Sequence, residues 1–221
     1  GQTVAVVGAT GSGKTTLVQL VNRLFDATEG KVLIDGRDVR DFTLEQLHER
    51  IGYIPQTATL FKGTVASNIA YGKTDHEITR DDISTALTVA QSADFVSRMD
   101  GGVDAAIEQG GRNVSGGQRQ RLAMSRAIAR KPEILVFDDS FSALDFATDR
   151  KLRKALAERC GDVTKLIVAQ RVSTVRDADL IVVLDGGACV GAGTHDELMR
   201  SCQTYQEIVS SQLSKEEIDH A

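Results

Sequence analysis

Apolar residues fall in two rhythms along this chain, and the order in which the rhythms alternate predicts its layers. Thr3-Val4-Ala5-Val6-Val7 reads as a short buried strand. Leu17, Leu20, Val21 and Leu24 follow at i, i+3, i+4 and i+7, the spacing of one helix face. Lys31-Val32-Leu33-Ile34 reads as a strand with a turn at Asp35-Gly36. Leu44 and Leu47 mark a short helix, and Ile51-Gly52-Tyr53-Ile54 a strand ended by Pro55. From about Thr64 to Arg130 the rhythm is helical. Ile83, Ala86, Leu87 and Ala90 share a face, and a second helix runs through Phe95 and Val96. A glycine-bearing loop from Glu108 to Gly117 leads into a helix from Gln118 to Arg130, which Pro132 stops. Strand signals then return three times: Ile134-Leu135-Val136-Phe137 before Asp138-Asp139, Leu166-Ile167-Val168-Ala169 before Gln170, and Leu180-Ile181-Val182-Val183-Leu184 before Asp185-Gly186-Gly187. A helix from Phe146 to Glu158 separates the first two. Continuous apolar strands alternating with helices imply an α/β fold, with a largely parallel sheet covered on both faces. The polar tail from Ser214 to Ala221 is expected to fray.

Between the first strand and the first helix lies Gly8-Ala9-Thr10-Gly11-Ser12-Gly13-Lys14-Thr15, with Thr16 behind it. It fits G-x-x-x-x-G-K-[ST], the phosphate-binding loop pattern, in the strand–loop–helix context the pattern requires. Glycines let successive backbone N–H groups turn toward one anion. The helix N-terminus adds partial positive charge. Lys14 is expected to meet the β- and γ-phosphates of a nucleotide, and the Thr15 hydroxyl to ligate Mg²⁺. The plainer alternative is a glycine-rich turn that holds no ligand.

Bulk composition narrows the classes. With 221 residues the chain is long enough for a sizeable core. Lysine and arginine total 26 against 31 acidic residues, a net charge of −5, which argues against a general nucleic-acid binder. No apolar run approaches the ~18 residues of a membrane span, and no signal peptide is present, so this piece is expected to be soluble. Cys160, Cys189 and Cys202 form no C-x-x-C and are expected to be reduced thiols. The histidines share no ligand spacing. The chain enters its first strand almost at once and has no initiator methionine, as expected of a fragment of a longer protein.

The stretch Asn113-Val114-Ser115-Gly116-Gly117-Gln118-Arg119-Gln120-Arg121 places S-G-G-Q at the start of a basic helix. With the phosphate loop upstream and an apolar strand ending in two acids downstream, essentially the whole chain resembles the nucleotide-binding domain of ABC proteins. The resemblance implies ATP and Mg²⁺ as ligands and a second such domain as partner, stacked head to tail. Each ATP would then lie between one domain's phosphate loop and the other's signature. Ser115, Gly116, Gly117 and Gln118 would serve the partner's ATP, and a serine-capped helix start is the plainer reading of the same residues. Gln56 matches the glutamine whose amide oxygen helps ligate Mg²⁺, in a loop that senses the membrane domain. Asp138 matches the aspartate that holds Mg²⁺ through water, so Thr15, Gln56 and Asp138 form the implied metal set. Ser142-Ala143-Leu144-Asp145 matches the D-loop, which crosses the dimer interface; Asp145 also reads as a helix cap. Leu60-Phe61-Lys62-Gly63-Thr64-Val65 with Asn68-Ile69 resembles a run found in ABC exporters. Glu108 falls in the segment that faces the coupling helices of a transmembrane domain.

Two positions depart from the family pattern. Its general base is a glutamate; here it is Asp139, shorter by one C–C bond, about 1.5 Å. Its switch histidine is here Gln170, a neutral donor that carries no proton. The pair resembles the degenerate member of a heterodimeric, multidrug-like exporter, whose own site hydrolyses poorly while its signature completes a partner's site. Asp139, Gln170 and Gln56 are therefore the catalytic candidates.

The expected architecture is a P-loop core of residues 1–63 and 131–221, a helical subdomain of residues 64–130, and the remains of an antiparallel β-subdomain. The family's adenine-stacking aromatic would lie upstream of the phosphate loop, and neither Tyr53 nor Tyr71 matches it. The leading reading is the ATP-hydrolysing domain of an exporter at the cytoplasmic face of a membrane, coupled to its transmembrane domain and to no nucleic acid. Two alternatives stay open: an ATP-binding regulatory clamp with little hydrolysis, and a non-transport ABC ATPase. The arginines 119, 121, 126 and 130 are expected to form a solvated helix face. His195 lies well past the switch position and is not read as a substitute base.

Overall fold

A computed structural model describes the backbone of residues 1–219 and the side chains through residue 212. In chain order the elements are β1 (Thr3–Gly8), α1 (Lys14–Val21), β2 (Leu33–Ile34), β3 (Arg37–Asp38), α2 (Leu44–Arg50), β4 (Ile51–Ile54), β5 (Gly63–Thr64), α3 (Val65–Ile69), α4 (Arg80–Val89) and α5 (Ala93–Ser97). There follow β6 (Ala106–Ile107), α6 (Gly116–Ala129), β7 (Ile134–Asp138), α7 (Phe146–Arg159), β8 (Thr164–Val168), α8 (Val172–Val175), β9 (Leu180–Asp185), β10 (Ala188–Gly193), α9 (His195–Ser201) and α10 (Gln203–Asp219). The polar tail expected to fray begins inside α10, while residues 220–221 lie outside the described residues.

Six strands form the main sheet in the order β10-β9-β1-β8-β7-β4, all parallel except β10. Alternation along the strands sends Val6, Val136 and Val168 to one face, where Val18, Leu47 and Phe42 cover them. Ala5, Val7, Leu135, Phe137 and Ile167 go to the other face, under Leu122, Leu152 and the helices of residues 64–130. Burial on both faces is why these strands read as continuous apolar runs. The register pairs Val6 with Val168, Asp138 with Val168, Ile54 with Phe137 and Gly8 with Leu184. The carboxyl ends of β1, β4, β7 and β8 therefore open on one rim, where an open α/β sheet gathers its ligands. The ribbon β2–β3 is antiparallel and separate from this sheet.

Several expectations need correction. The face Leu17-Leu20-Val21-Leu24 is not the buried one. Helix α1 ends at Val21 and buries Lys14 and Val18, while Leu17 and Leu24 are exposed. A helix whose N-terminus must aim at a ligand is oriented by the loop before it, so the apolar spacing pointed to the wrong stripe. Helix α6 starts at Gly116 rather than Gln118, because Ser115 and Gln118 close a reciprocal capping box at its head. Strand β10 carried no apolar signal: it is built of small residues, and a Cβ on Gly191 would sit 2.8 Å from Cys202 Sγ.

The four arginines of α6 are not a freely solvated face. Arg119 donates to the Gly110 and Gly111 carbonyls, Arg121 to those of Gln91 and Gly117, and Arg126 to those of Asn68 and Thr59. Arg130 donates to the carbonyls of His48 and Lys73. Arg126 also lies over the rings of Phe61 and Tyr71. These partly buried guanidinium groups are bonded to the carbonyls of neighbouring loops and helices.

Candidate functional site

At the end of β1 the chain must pass under Leu184. A Cβ on Gly8 would lie 2.2 Å from the Leu184 carbonyl oxygen and 2.6 Å from Ser12 Oγ, so only glycine fits. Gly11 and Gly13 are left-handed (φ +83° and +95°) and curl the loop back into α1. Gly13 is the N-cap of α1 and offers no side chain, leaving the first-turn N–H groups open to an anion. Lys14 is buried, its Nζ 2.8 Å from the Gly8 oxygen and 2.7 Å from that of Ala9. Burial lowers its pKa, against the opposing pull of Asp139 and Asp138. Ser12 is buried inside the loop, whereas Thr10, Gly11, Thr15 and Thr16 are exposed around it.

The acid pair lies beside this loop. Asp138 closes β7 and is 2% exposed. Its Oδ1 accepts from Thr15 Oγ1 at 2.8 Å and its Oδ2 from the Tyr53 hydroxyl at 2.8 Å. Asp139 is 5% exposed and left-handed (φ +49°), so the chain turns sharply just after the strand. One of its oxygens, Oδ2, accepts from two amides: Gln56 Nε2 at 3.0 Å and Gln170 Nε2 at 2.7 Å. Burial raises the Asp139 pKa; the two amide donors pull it back. Ser142 donates from its hydroxyl to the Asp139 carbonyl at 2.7 Å, anchoring the start of the following loop. Gln56 thus meets Asp139 through its nitrogen, where the resemblance implied an amide oxygen turned to the metal ion.

The structure brings Gly8–Thr15, Gln56, Asp138, Asp139, Ser142 and Gln170 onto one rim. It does not bring Ser115–Gln118 there: among the described residues no hydrogen bond joins them to the phosphate loop. They sit instead against the loop after Asp139, with an ideal Cβ on Gly117 only 3.2 Å from the Ala143 oxygen. Ser115 Oγ accepts from the Gln118 amide N–H at 3.2 Å, and Gln118 Oε1 accepts from Ser115 N–H at 2.9 Å. Asp145 caps α7, accepting from the Thr148 N–H at 2.9 Å. Both helix-cap readings hold. Chemically, the rim offers an anion cradle with an ammonium beside it, and a hydroxyl–carboxylate pair of hard oxygens suited to Mg²⁺. Phosphates with a divalent cation fit this donor set.

Sequence reasoning missed two residues that shape the site. The Tyr53 phenol holds Asp138, and burial together with Asp138 raises its pKa. Its signal was a hydroxyl-bearing residue inside an otherwise apolar parallel strand. Gln120 is buried on α6 and donates to the Pro55 carbonyl at 2.9 Å, tying the signature helix to the loop of Gln56. A groove of about 900 Å³ between α2, α4 and the end of α6, lined by residues such as Glu49, Arg50, His76 and Asp82, contains none of the predicted site residues.

Comparison with known proteins gives concordant results. Residues 1–142 match the family model described as ABC transporter. An uncharacterised ABC transporter ATP-binding protein of Mycobacterium tuberculosis is 49% identical over 213 residues, covering 96% of this chain and 36% of that protein. The ATP-dependent lipid A-core flippase of Salmonella typhimurium is 42% identical over 215 residues, covering 97% of this chain and 37% of the flippase. Among solved structures, a bacterial Atm1-family ABC exporter with ATP bound superposes with a TM-score of 0.91 at 36% identity, covering 96% of this chain and 37% of the exporter. The chain thus spans little more than a third of the length of these relatives.

Proposed function

The chain belongs to the ABC transporter family, and from that premise we propose that it is the ATP-binding, ATP-hydrolysing domain of an exporter whose own site is slow. The reading includes a core of residues 1–63 and 131–221, a helical arm of residues 64–130, and a place on the cytoplasmic face of a membrane. Its partners would be a transmembrane domain, met through coupling helices, and a second nucleotide-binding domain stacked head to tail. Among the described residues no helix is long and apolar enough to cross a membrane, so that domain would be supplied by another part of the exporter. The similarity to a lipid A-core flippase and an Atm1-family exporter supports the exporter branch.

In this mechanism the N–H groups of Gly11–Thr15 and the Lys14 ammonium hold the phosphates of ATP. Thr15 and Asp138 would hold Mg²⁺, with Gln56 in reach. When bound, the ion supplies charge neutralisation and polarises the phosphoryl oxygens. Asp139 orients the attacking water and accepts its proton, while Gln170 donates a neutral hydrogen bond. Ser115–Gln118 and Asp145 face the partner's nucleotide.

One observation carries the slow-site reading. Asp139, already short for a base, has one oxygen taken by both Gln56 and Gln170. A carboxylate about 1.5 Å back, held by two amides, aligns water poorly, and a misplacement of ~1 Å costs about 100-fold in rate. The test is single-turnover ATP hydrolysis at this site in the assembled exporter. Asp139→Glu with Gln170→His is expected to raise the rate by about 10- to 100-fold. No gain would remove the degenerate-site reading and leave the regulatory clamp as the better account.

A further inference from the structure

The short helix α8 begins directly after Gln170, and its N-terminus is not capped from within. Its N-cap is Arg171, which makes no side-chain cap bond. The Arg171 guanidinium is used elsewhere: it donates to the Leu144 carbonyl at 3.1 Å and that of Ser142 at 3.4 Å, and lies 4.7 Å from the centroid of the Phe146 ring. The first N–H of α8, that of Val172, would be an orphan donor. It is satisfied by a residue forty positions away. Gln212 of α10 accepts it on Oε1 at 2.7 Å and donates from Nε2 to the Gln170 carbonyl. One carboxamide therefore holds the backbone on both sides of Arg171. Only this amide orientation matches a donor at Val172 and an acceptor at Gln170. Helix α10 is itself fixed, with Tyr205 and Val209 buried beneath it.

We infer that Gln212 is a positioning residue for the switch glutamine: its two-sided grip on the loop sets the reach of Gln170 Nε2 to Asp139 Oδ2. With β8 fixed before residue 170 and α8 capped after it, the side chain of Gln170 has a defined origin, and its bond to Asp139 follows. The same loop pins the D-loop through Arg171, so α10, the switch and the D-loop form one connected unit. Linkage makes the coupling reciprocal: a ligand that draws Gln170 off Asp139 loosens the grip of Gln212 on Val172. This inference rests on the proposed role of Gln170 at a nucleotide site.

The test uses the 221-residue chain and two signals, hydrogen exchange at the Val172 amide and the NMR resonances of the Gln170 side-chain amide. In Gln212→Ala, Val172 exchange should rise about tenfold, the size expected when one hydrogen bond's protection is lost. The Gln170 amide signals should move toward those of a glutamine with no carboxylate partner. Gln206→Ala is the control, because Gln206 also leaves α10 to reach a carbonyl, but that of Met199 at 2.8 Å rather than the backbone of residues 170–172; it should leave both signals in place. Gln212→Glu keeps the acceptor for Val172 but turns a carboxylate on the Gln170 carbonyl. It should preserve Val172 protection and still displace Gln170, which also covers the case in which the alanine variant does not fold. Unchanged Gln170 signals in Gln212→Ala and Gln212→Glu, or an equal displacement in Gln206→Ala, would overturn the inference. Binding of a fluorescent ATP analogue to the unsubstituted chain separates the two levels: failure there removes the nucleotide-site reading, whatever Gln212 does.

Discussion

The phosphate-loop rim and the signature end are built on opposite plans. At the rim every reactive group already has a partner within the chain: Lys14 on two carbonyls, Thr15 and Tyr53 on Asp138, Gln56 and Gln170 on Asp139. Both acids are buried, and four segments distant in sequence converge there. At the signature end Ser115 and Gly116 are exposed, and the Ser115 and Gln118 side chains close a capping box with each other's backbone. Nearby, Phe146 stands 59% exposed beside Arg171. One end is cross-bonded by its own side chains around two buried acids, whereas the other is a surface. On the reading proposed above, that surface gains chemical meaning only from a second domain.

The largest effect is expected from removing the ammonium at the rim. Lys14→Ala takes away a charged donor worth about 1.5–3 kcal/mol per hydrogen bond, so affinity for ATP should fall about 10- to 100-fold, as read by titration with a fluorescent analogue. Stability should change little, since the groups Lys14 meets, the Gly8 and Ala9 carbonyls and the Ser12 hydroxyl, all belong to its own loop. Affinity that survives the substitution would show that the loop N–H groups alone hold the phosphates.

Tyr53→Phe probes the same region from below. It leaves a buried carboxylate oxygen without its donor, a loss of about 1–3 kcal/mol, visible as a lower midpoint in urea unfolding. At the signature end, Ser115→Ala removes one capping bond and should cost about 1 kcal/mol. Its effect on this chain's own ATP affinity should be nil. A drop in that affinity would join the two ends that the structure keeps apart.

The sequence showed the strands and the phosphate loop because both are local. Ala5–Val7 and Ile181, Val183 and Leu184 are buried and need no pattern beyond apolarity, and the left-handed φ of Gly11 and Gly13 is set within the loop itself. What stayed hidden was set across the fold. The buried stripe of α1 depends on where the loop aims its N-terminus, so Val18 rather than Leu17 packs inward. Tyr53 becomes a site residue only because β4 lies beside β7 in register, with Tyr53 opposite Val136. Arginines 119, 121, 126 and 130 looked like a solvated stripe, yet all but one of the carbonyls they meet lie 8 to 82 residues away, in loops and other helices. Gln56 and Gln170 were both picked from motif position, but their convergence on one oxygen follows from the turn at Asp139 and the parallel register beneath it.

The smallest effect is expected from acid. Helix α4 starts at Thr79, whose N–H and hydroxyl donate to Asp82 at 3.0 and 2.7 Å, and Asp82 also meets Lys131 Nζ at 2.7 Å, just past the end of α6. This junction ties two helices of the signature-bearing arm together. Lys131 and the Thr79 donors hold the Asp82 carboxyl well below the usual carboxylate range. Because the folded-state pKa is depressed, the contribution is complete above the unfolded value near 3.9 and is lost as pH falls from there through the folded value. Urea unfolding between about pH 5 and pH 2 should therefore show a steeper loss in the unsubstituted chain than in Asp82→Asn, which keeps a side-chain acceptor but no charge. Hydrogen exchange should place the extra loosening at the start of α4 and the end of α6, with the amides of Gly11–Thr15 unaffected by the substitution. The phosphate loop takes no part in this ion pair, so acid should open the arm's junction while the phosphate-loop rim holds. Equal slopes in the two chains would remove Asp82 from that junction, and loosening of Gly11–Thr15 in step with α4 would make the arm and the rim one cooperative unit.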